Sequence, residues 1–362
     1  MELRPADAEA RRALRAAALF AAPFEVAGLS TGAAGSVATI AVAGIFAPGA
    51  GARSRAATEA ALDLATASGS PLLVSAALDG VTSYGLVSGD IDMACAAASR
   101  RLDVLAELPI DAAVAFELYD ACHMACLSET AAGRLEQVRT TAGRLSRLPY
   151  LREARHVSPS HRLEIDALAG QPDRVVANAE LFERDWIRAG RPVASNLASA
   201  AGAVALAYGL LDDPAEQARW NAIAIELMPP DRREPERRHA WPLLCGALVA
   251  LHRAQLDEAL DLLRFDPDDR DSWCGLCHLW LPWYAAARAE AAVLAGLADA
   301  AERVAQATET TRHNEPASLL VARADALAAG RADLLDAVAE QLDALGCPYQ
   351  AERTRSLAER WG

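Results

Sequence analysis

The chain has 362 residues, more than one ordinary compact core holds, so two domains or one extended repeat array are expected. Hydrophobic residues make up 52% but aromatics only 5%; the difference is largely alanine, which favours helices and lets helix axes approach closely, and no long β-branched run with period 2 argues for a sheet. The net charge of −14 speaks against a nucleic-acid-binding face, and because all 35 basic residues are arginine, a Walker-type phosphate lysine and a Schiff-base lysine are both excluded.

Residues 6–22 and 33–46 read as alanine-rich helices, the second ended by Pro48-Gly49. Residues 26–52 contain no charge and could span a bilayer by length. Six glycines and several hydroxyls lower their hydrophobicity, so a buried helical hairpin is expected there and no membrane contact. Glu2, Arg4, Asp7, Glu9 and Arg11 precede any apolar run, which is not a secretory pattern. Residues 54–68 form a further helix with Ser54 as N-cap and Gly69 as stop, and Pro71 opens a helix over 71–87.

The stretch Tyr84–Pro109 then shows the unit of organisation. A helix ends at Gly89, an acidic helix start follows at Asp90–Asp92, and an amphipathic helix runs to a Leu108-Pro109 stop. Comparable turns fall at Gly133, Gly170, Asp212-Asp213-Pro214, Ala254, Gly296 and Gly330, at intervals of 34 to 44 residues. That period is the mark of helical-hairpin repeats. The first helices are the more apolar (Ala112–Leu127, Ala194–Leu211, Trp241–His252, Leu276–Leu294), and the second helices alternate charge with apolar residues (Arg134–Leu148, Arg174–Ile187, Glu302–Thr310). The expected fold is all-α, a right-handed α-solenoid of TPR-like helical hairpins. Its expected divisions are N-terminal helices at 1–69 (a cap or the first hairpins), repeats at 70–228, an exposed loop or hinge at 229–239, and repeats with a capping helix at 240–362.

Each candidate for chemistry has a plainer explanation. Cys274-Gly-Leu-Cys277-His278 spells a haem attachment motif, but the seven cysteines fit reduced thiols of a cytoplasmic protein better. Cys122, His123 and Cys126 share a helix without a second ligand pair, so core packing is expected there and no metal. Asp266–Asp271 lacks the spacing of a calcium loop, and Gly32-Ala-Ala-Gly35 and Gly49-Ala-Gly51 lack a lysine and a preceding strand. No cofactor and no catalytic residue is singled out. The most unusual composition is Trp273, Trp280, Trp283 and Tyr284, with Trp241 one repeat earlier. Trp273, Cys277, Trp280 and Tyr284 fall on one helical face if the helix is continuous, with Pro282 kinking it or marking its first turn. These aromatics form either a core joint between repeats or a groove for a peptide or small ligand.

Several segments resemble the helical-repeat regions of large actinobacterial ATP-binding signalling regulators, the LuxR-type and adenylate-cyclase-associated STAND-like proteins. They are ATIAVAGIFAPG, GSPLLVSAALDGVTSYGLVSGDIDMA, LSRLPYLREARH, AGRPVASNLASAAGAVA and GCPYQAERTRSLA, within residues 35–362. In that family an ATPase module precedes a TPR-like region and a DNA-binding helix-turn-helix often follows. This chain has no Walker lysine and no DNA-reading helix pattern after residue 345. The resemblance therefore implies a sensor or scaffold part alone, engaging a protein or peptide partner in signalling or transcriptional regulation. The other expectations are a small-molecule sensor built on the aromatic cluster and an all-helical enzyme with dispersed catalytic residues.

Overall fold

The structure is a computed structural model that describes residues 55–149, 156–228, 238–269, 272–273 and 277–361. The helices expected at 6–22 and 33–46, the uncharged stretch 26–52 and most of the loop 229–239 lie outside the described residues. Among the described residues the fold is all-helical. Among them no strand is present, and Arg238 and Trp273 form an isolated β-bridge. No described helix is long and apolar enough to cross a membrane.

Sixteen α-helices follow one another: α1 (Arg55–Ala67), α2 (Pro71–Ser88), α3 (Ile91–Ala106), α4 (Ala112–Ala131), α5 (Leu135–Leu145), α6 (Val157–Leu168), α7 (Pro172–Arg188), α8 (Ser195–Leu210), α9 (Pro214–Leu227), α10 (Ala240–His252), α11 (Leu256–Leu262), α12 (Leu281–Leu294), α13 (Ala300–Thr311), α14 (Glu315–Ala328), α15 (Ala332–Ala344) and α16 (Pro348–Trp361). Local chemistry sets their ends. Asp90 accepts the Met93 N–H at 3.1 Å, Asp213 that of Glu216 at 3.1 Å, and Asn314 that of Ala317 at 3.0 Å; each satisfies a donor that the first turn leaves without a partner. Pro71, Pro172, Pro214 and Pro316 open helices where no N–H is needed. The expected turns at Asp212 and Ala254 take left-handed backbone, φ +55° and +56°, without glycine.

One helix begins later than expected. Cys277–Leu279 forms a 3₁₀ turn and α12 starts at Leu281, so that Pro282 falls in its first turn. A proline inside the expected helix would have clashed with the preceding turn and removed a hydrogen bond. Trp273 therefore does not share a helical face with Trp280 and Tyr284.

The chain divides into two compact units, residues 1–128 and 129–362, a boundary that falls within α4. In the first unit α2 packs on both α1 and α3. Leu78 and Val81 of α2 meet Ala97 of α3, with Val74, Met93 and Val104 around them.

In the second unit α6, α8, α10, α12 and α14 lie side by side, each packed on the next, and α7, α11, α13 and α15 pack against the first helix that follows them. The first helices carry the alanine. Leu197, Ala198, Ala200, Ala201 and Ala203–Ala207 of α8 are buried, as are Leu281–Ala287 and Ala289–Val293 of α12. A helix apolar on every side has to be covered on every side.

The row also returns on itself. Asn314, at the start of α14, donates its Nδ2 to the Ala131 carbonyl at the end of α4 at 3.0 Å. Gln171 Nε2 donates to the Gly346 carbonyl at 3.0 Å, just before α16. Each contact joins helix ends separated by several hairpins, and the first of them satisfies a carbonyl that the last turn of a helix leaves free. Gly170 lies beneath Tyr349; a Cβ there would run into that side chain, and φ of +67° disfavours one in any case.

Candidate functional site

The five aromatic residues singled out from the sequence separate into three environments, all buried. Trp241 on α10 and Trp280 before α12 meet with ring centroids 4.2 Å apart, and Trp241 donates its Nε1–H to the Ser199 carbonyl of α8 at 2.8 Å. Gly202 allows this approach, because a Cβ would stand 2.8 Å from that nitrogen. Trp273 and Tyr284 pack edge to face at 5.1 Å, with Phe265 beyond them and the guanidiniums of Arg238 and Arg264 against the Phe265 ring at 3.9 and 4.2 Å. The Trp273 Nε1–H goes to the Asp266 carbonyl, and the Tyr284 hydroxyl donates to Leu262 while accepting the Phe265 N–H. Burial, against weaker opposing contacts, pushes the Tyr284 hydroxyl up to about 12. Trp283 stands apart, 2% exposed. No member of the set is more than 7% exposed, so these rings belong to the core, with Trp241 and Trp280 joining α10 to α8 and to the start of α12.

Two polar groupings lie inside the second unit. Glu290 of α12 is paired with Arg323 of α14 and Arg353 of α16. Burial alone would raise its carboxyl, but the two guanidiniums outweigh that and hold it at about 2. Arg323 also reaches Gln350 and Thr354, while Arg353 donates to the Leu251 carbonyl at 3.0 Å. The set ties α16 to three earlier helices. His161 and Glu164, one turn apart on α6, lie 3.7 Å from each other. Burial takes His161 down to about 4 and pushes the Glu164 carboxyl well up. Burial and the nearby Glu164 push the Cys245 thiol up, the opposite of what a nucleophile requires. Among the described residues no group of three or more His, Cys, Asp or Glu is placed to hold a metal ion.

The first unit presents a different surface. Arg101 of α3 is 2% exposed and faces three carboxylates: Asp79 of α2 at 2.7 Å, Glu117 of α4 at 3.2 Å and Asp120 of α4 at 2.8 Å. Its Nε also bonds Ser75 Oγ at 3.0 Å, and Ser75 in turn donates to Glu117. Beside these carboxylates Phe116 is 63% exposed, the most uncovered aromatic ring among the large hydrophobics of the described chain. It stacks with Tyr119 at 6.5 Å and 24°. Burial and then Asp120 raise the Tyr119 hydroxyl to about 12.

Sequence reading passed over this face because α4 counts as an apolar first helix. The signal was present in the spacing. Ala115, Leu118, Cys122 and Ala125 recur every three or four residues and are buried, which places Phe116, Glu117 and Asp120 on the opposite, polar side. A large ring among carboxylates is out of keeping with a solvated face. In comparison with known proteins, no protein-family model matches this chain and no curated protein is similar to it.

Proposed function

We propose that the chain is a non-catalytic helical-repeat scaffold or sensor, a right-handed α-solenoid of TPR-like hairpins that holds a protein or peptide partner in bacterial signalling or transcriptional regulation. The recurring turns, the side-by-side packing of α6, α8, α10, α12 and α14, and the resemblance to the repeat regions of LuxR-type regulators support this reading. The observation that carries it is the uncovered Phe116 ring on α4, stacked on half-buried Tyr119. A hairpin whose every ring was buried would offer a partner little to grip, because aromatic anchors supply most of the energy at such contacts. The five tryptophan and tyrosine residues, read from the sequence as either a core joint or a groove, are buried, which favours the joint and leaves α4 as the surface for a partner.

Selection from a displayed random-peptide library tests the reading. Peptides enriched on the full chain should bind it in solution, and Phe116→Ala should release them. Failure to enrich any peptide over repeated rounds, alongside turnover in a broad substrate screen, would replace the scaffold with the all-helical enzyme.

A further inference from the structure

We propose that α16 is an internal ligand of the second unit, seated on a helix-binding face made by α10, α12 and α14, and that a partner helix carrying a tyrosine and an arginine one turn apart takes its place. This goes beyond the α4 reading, because it concerns a face that is covered in this structure.

The first support is the seating of α16. The helix packs along α15, but its side chains reach back across the row of first helices. Tyr349 shares a hydrogen bond with His252 Nδ1 of α10 at 3.0 Å and lies over Gly170, whose lack of a Cβ makes room for it. One turn on, Arg353 pairs with Glu290 of α12 and donates to the Leu251 carbonyl of α10 at 3.0 Å. Beside them, Arg323 of α14 donates to Gln350 Oε1 at 3.0 Å and to Thr354 Oγ1 at 3.2 Å. Tyr349 and Arg353 share one side of the helix, as do Gln350 and Thr354. α16 is thus read by side chains at helical spacing, as a peptide helix laid in a groove is.

The second is what the seating is made of. Of the described side chains of α16, Ala351 and Leu357 are the buried apolar ones, whereas α12 buries Leu281–Ala287 and Ala289–Val293. The joint to the row is therefore mainly ionic and hydrogen-bonded. Such bonds are exchanged for bonds to water or to another ligand at a modest net cost. A segment with few buried apolar contacts opens locally while the rest of the fold persists.

The third is what stays behind. When α16 leaves, Glu290 keeps Arg323, so the buried carboxylate is not left without a cation. Leu345–Cys347 join α15 to α16, with Gly346 at φ +74°, and form the short joint on which the helix turns. Arg323 Nε is buried and has no hydrogen-bond partner among the described residues. α16 therefore leaves one donor of its receptor unused, and an occupant that supplies the acceptor gains over it.

The test uses the full chain and a fluorescently labelled peptide with the sequence of residues 348–361. Fluorescence anisotropy should show the Arg353→Ala chain binding this peptide at least about tenfold more tightly than wild type does, because loosening α16 raises the fraction of chain whose face is open. Tyr349→Phe, which removes only the hydroxyl that meets His252, should give a smaller gain of the same sign, and it carries the test should Arg353→Ala prove unfolded by circular dichroism. The same peptide with its arginine replaced by alanine should bind at least about tenfold more weakly to the opened chain. Hydrogen exchange read by mass spectrometry should show α16 of wild type exchanging faster than α12 and α14, and Arg353→Ala should speed α16 alone. Exchange of α16 at the rate of α12, in wild type and variants alike, would make it a fixed part of the core and overturn the proposal. Binding no tighter to either variant than to wild type, or matched by the arginine-free peptide, would overturn it too. Adding Phe116→Ala to the Arg353→Ala chain should leave the peptide bound; its release would place the peptide on α4 and overturn the proposal, while none of these failures touches the α4 reading itself.

Discussion

Replacing Glu290 with glutamine should destabilise the second unit severely, although the substitution preserves shape. Glu290 is 1% exposed and holds Arg323, itself 2% exposed, together with Arg353. Glutamine leaves two guanidiniums facing each other without an anion. Its carboxyl is held at about 2 against an ordinary 4.5. At ~1.4 kcal/mol per pH unit that difference is worth about 3 kcal/mol, in the range of ~3–5 kcal/mol expected when a buried ion pair loses one member. The pH dependence has a definite sign. Because the folded value lies below the unfolded one, the contribution is complete above about pH 4.5 and is lost as pH falls toward 2. Urea unfolding followed by far-UV circular dichroism should therefore separate Glu290→Gln widely from wild type at neutral pH and bring the two together in acid. A second variant isolates the cause: Glu290→Leu with Arg323→Met removes both buried charges and should recover much of the loss. An unchanged midpoint for Glu290→Gln, or a loss that the paired substitution deepens, would refute the electrostatic account.

Glu164→Gln should act in the opposite direction. The Glu164 carboxyl is raised by burial, so ionisation favours unfolding as pH rises above the unfolded value of about 4.5; the glutamine variant should be the more stable of the two at neutral pH, and the gap should close as pH falls below that value in the same urea titrations. Gly202→Ala should push the Trp241 ring away from Ser199 and cost roughly 1–3 kcal/mol, visible as a changed near-UV spectrum as well as a lower melting temperature. Ala254→Gly should stabilise the chain by roughly 0.5–1 kcal/mol, because the residue is held in left-handed backbone and is exposed; thermal melts check it.

The helices were legible because each boundary is fixed within a few residues of itself. Asp90, Asp213 and Asn314 cap the helices they precede, and Gly89, Gly133, Gly170, Gly296 and Gly330 turn the chain at positive φ. The alanine surplus pointed to closely approaching helices, and α8 and α12, where it concentrates, are buried along most of their length. The aromatic cluster was legible as a cluster but not as a set of separate contacts. That separation depends on α12 beginning at Leu281 and on Arg238 pairing with Ser272 through a 2.9 Å backbone hydrogen bond, neither of which the local pattern fixes. Glu290 shows a different limit. Its neighbours Ala289, Ala291 and Ala292 announce a buried helix, yet nothing near it announces its cations, which arrive from 33 and 63 residues further on. The return of α14 to the end of α4 is equally silent, since any amide side chain could make the bond that Asn314 makes to Ala131.

Charge, more than aromatic content, marks where such a chain stays open. Alanine brings helix axes close enough that a large ring between them is held from several sides, as Trp241 is by Gly202, Ser199 and Trp280. A ring held that way is lost to a partner, because freeing it means opening a core of close-packed side chains. α8 has no charged residue to keep it uncovered, and the Glu290 of α12 is neutralised from within. In α4, Glu117 and Asp120 outnumber the single guanidinium that reaches them, and covering them would leave unpaired charge out of water. The same carboxylates that keep the helix face wet thus leave the Phe116 ring beside them in water.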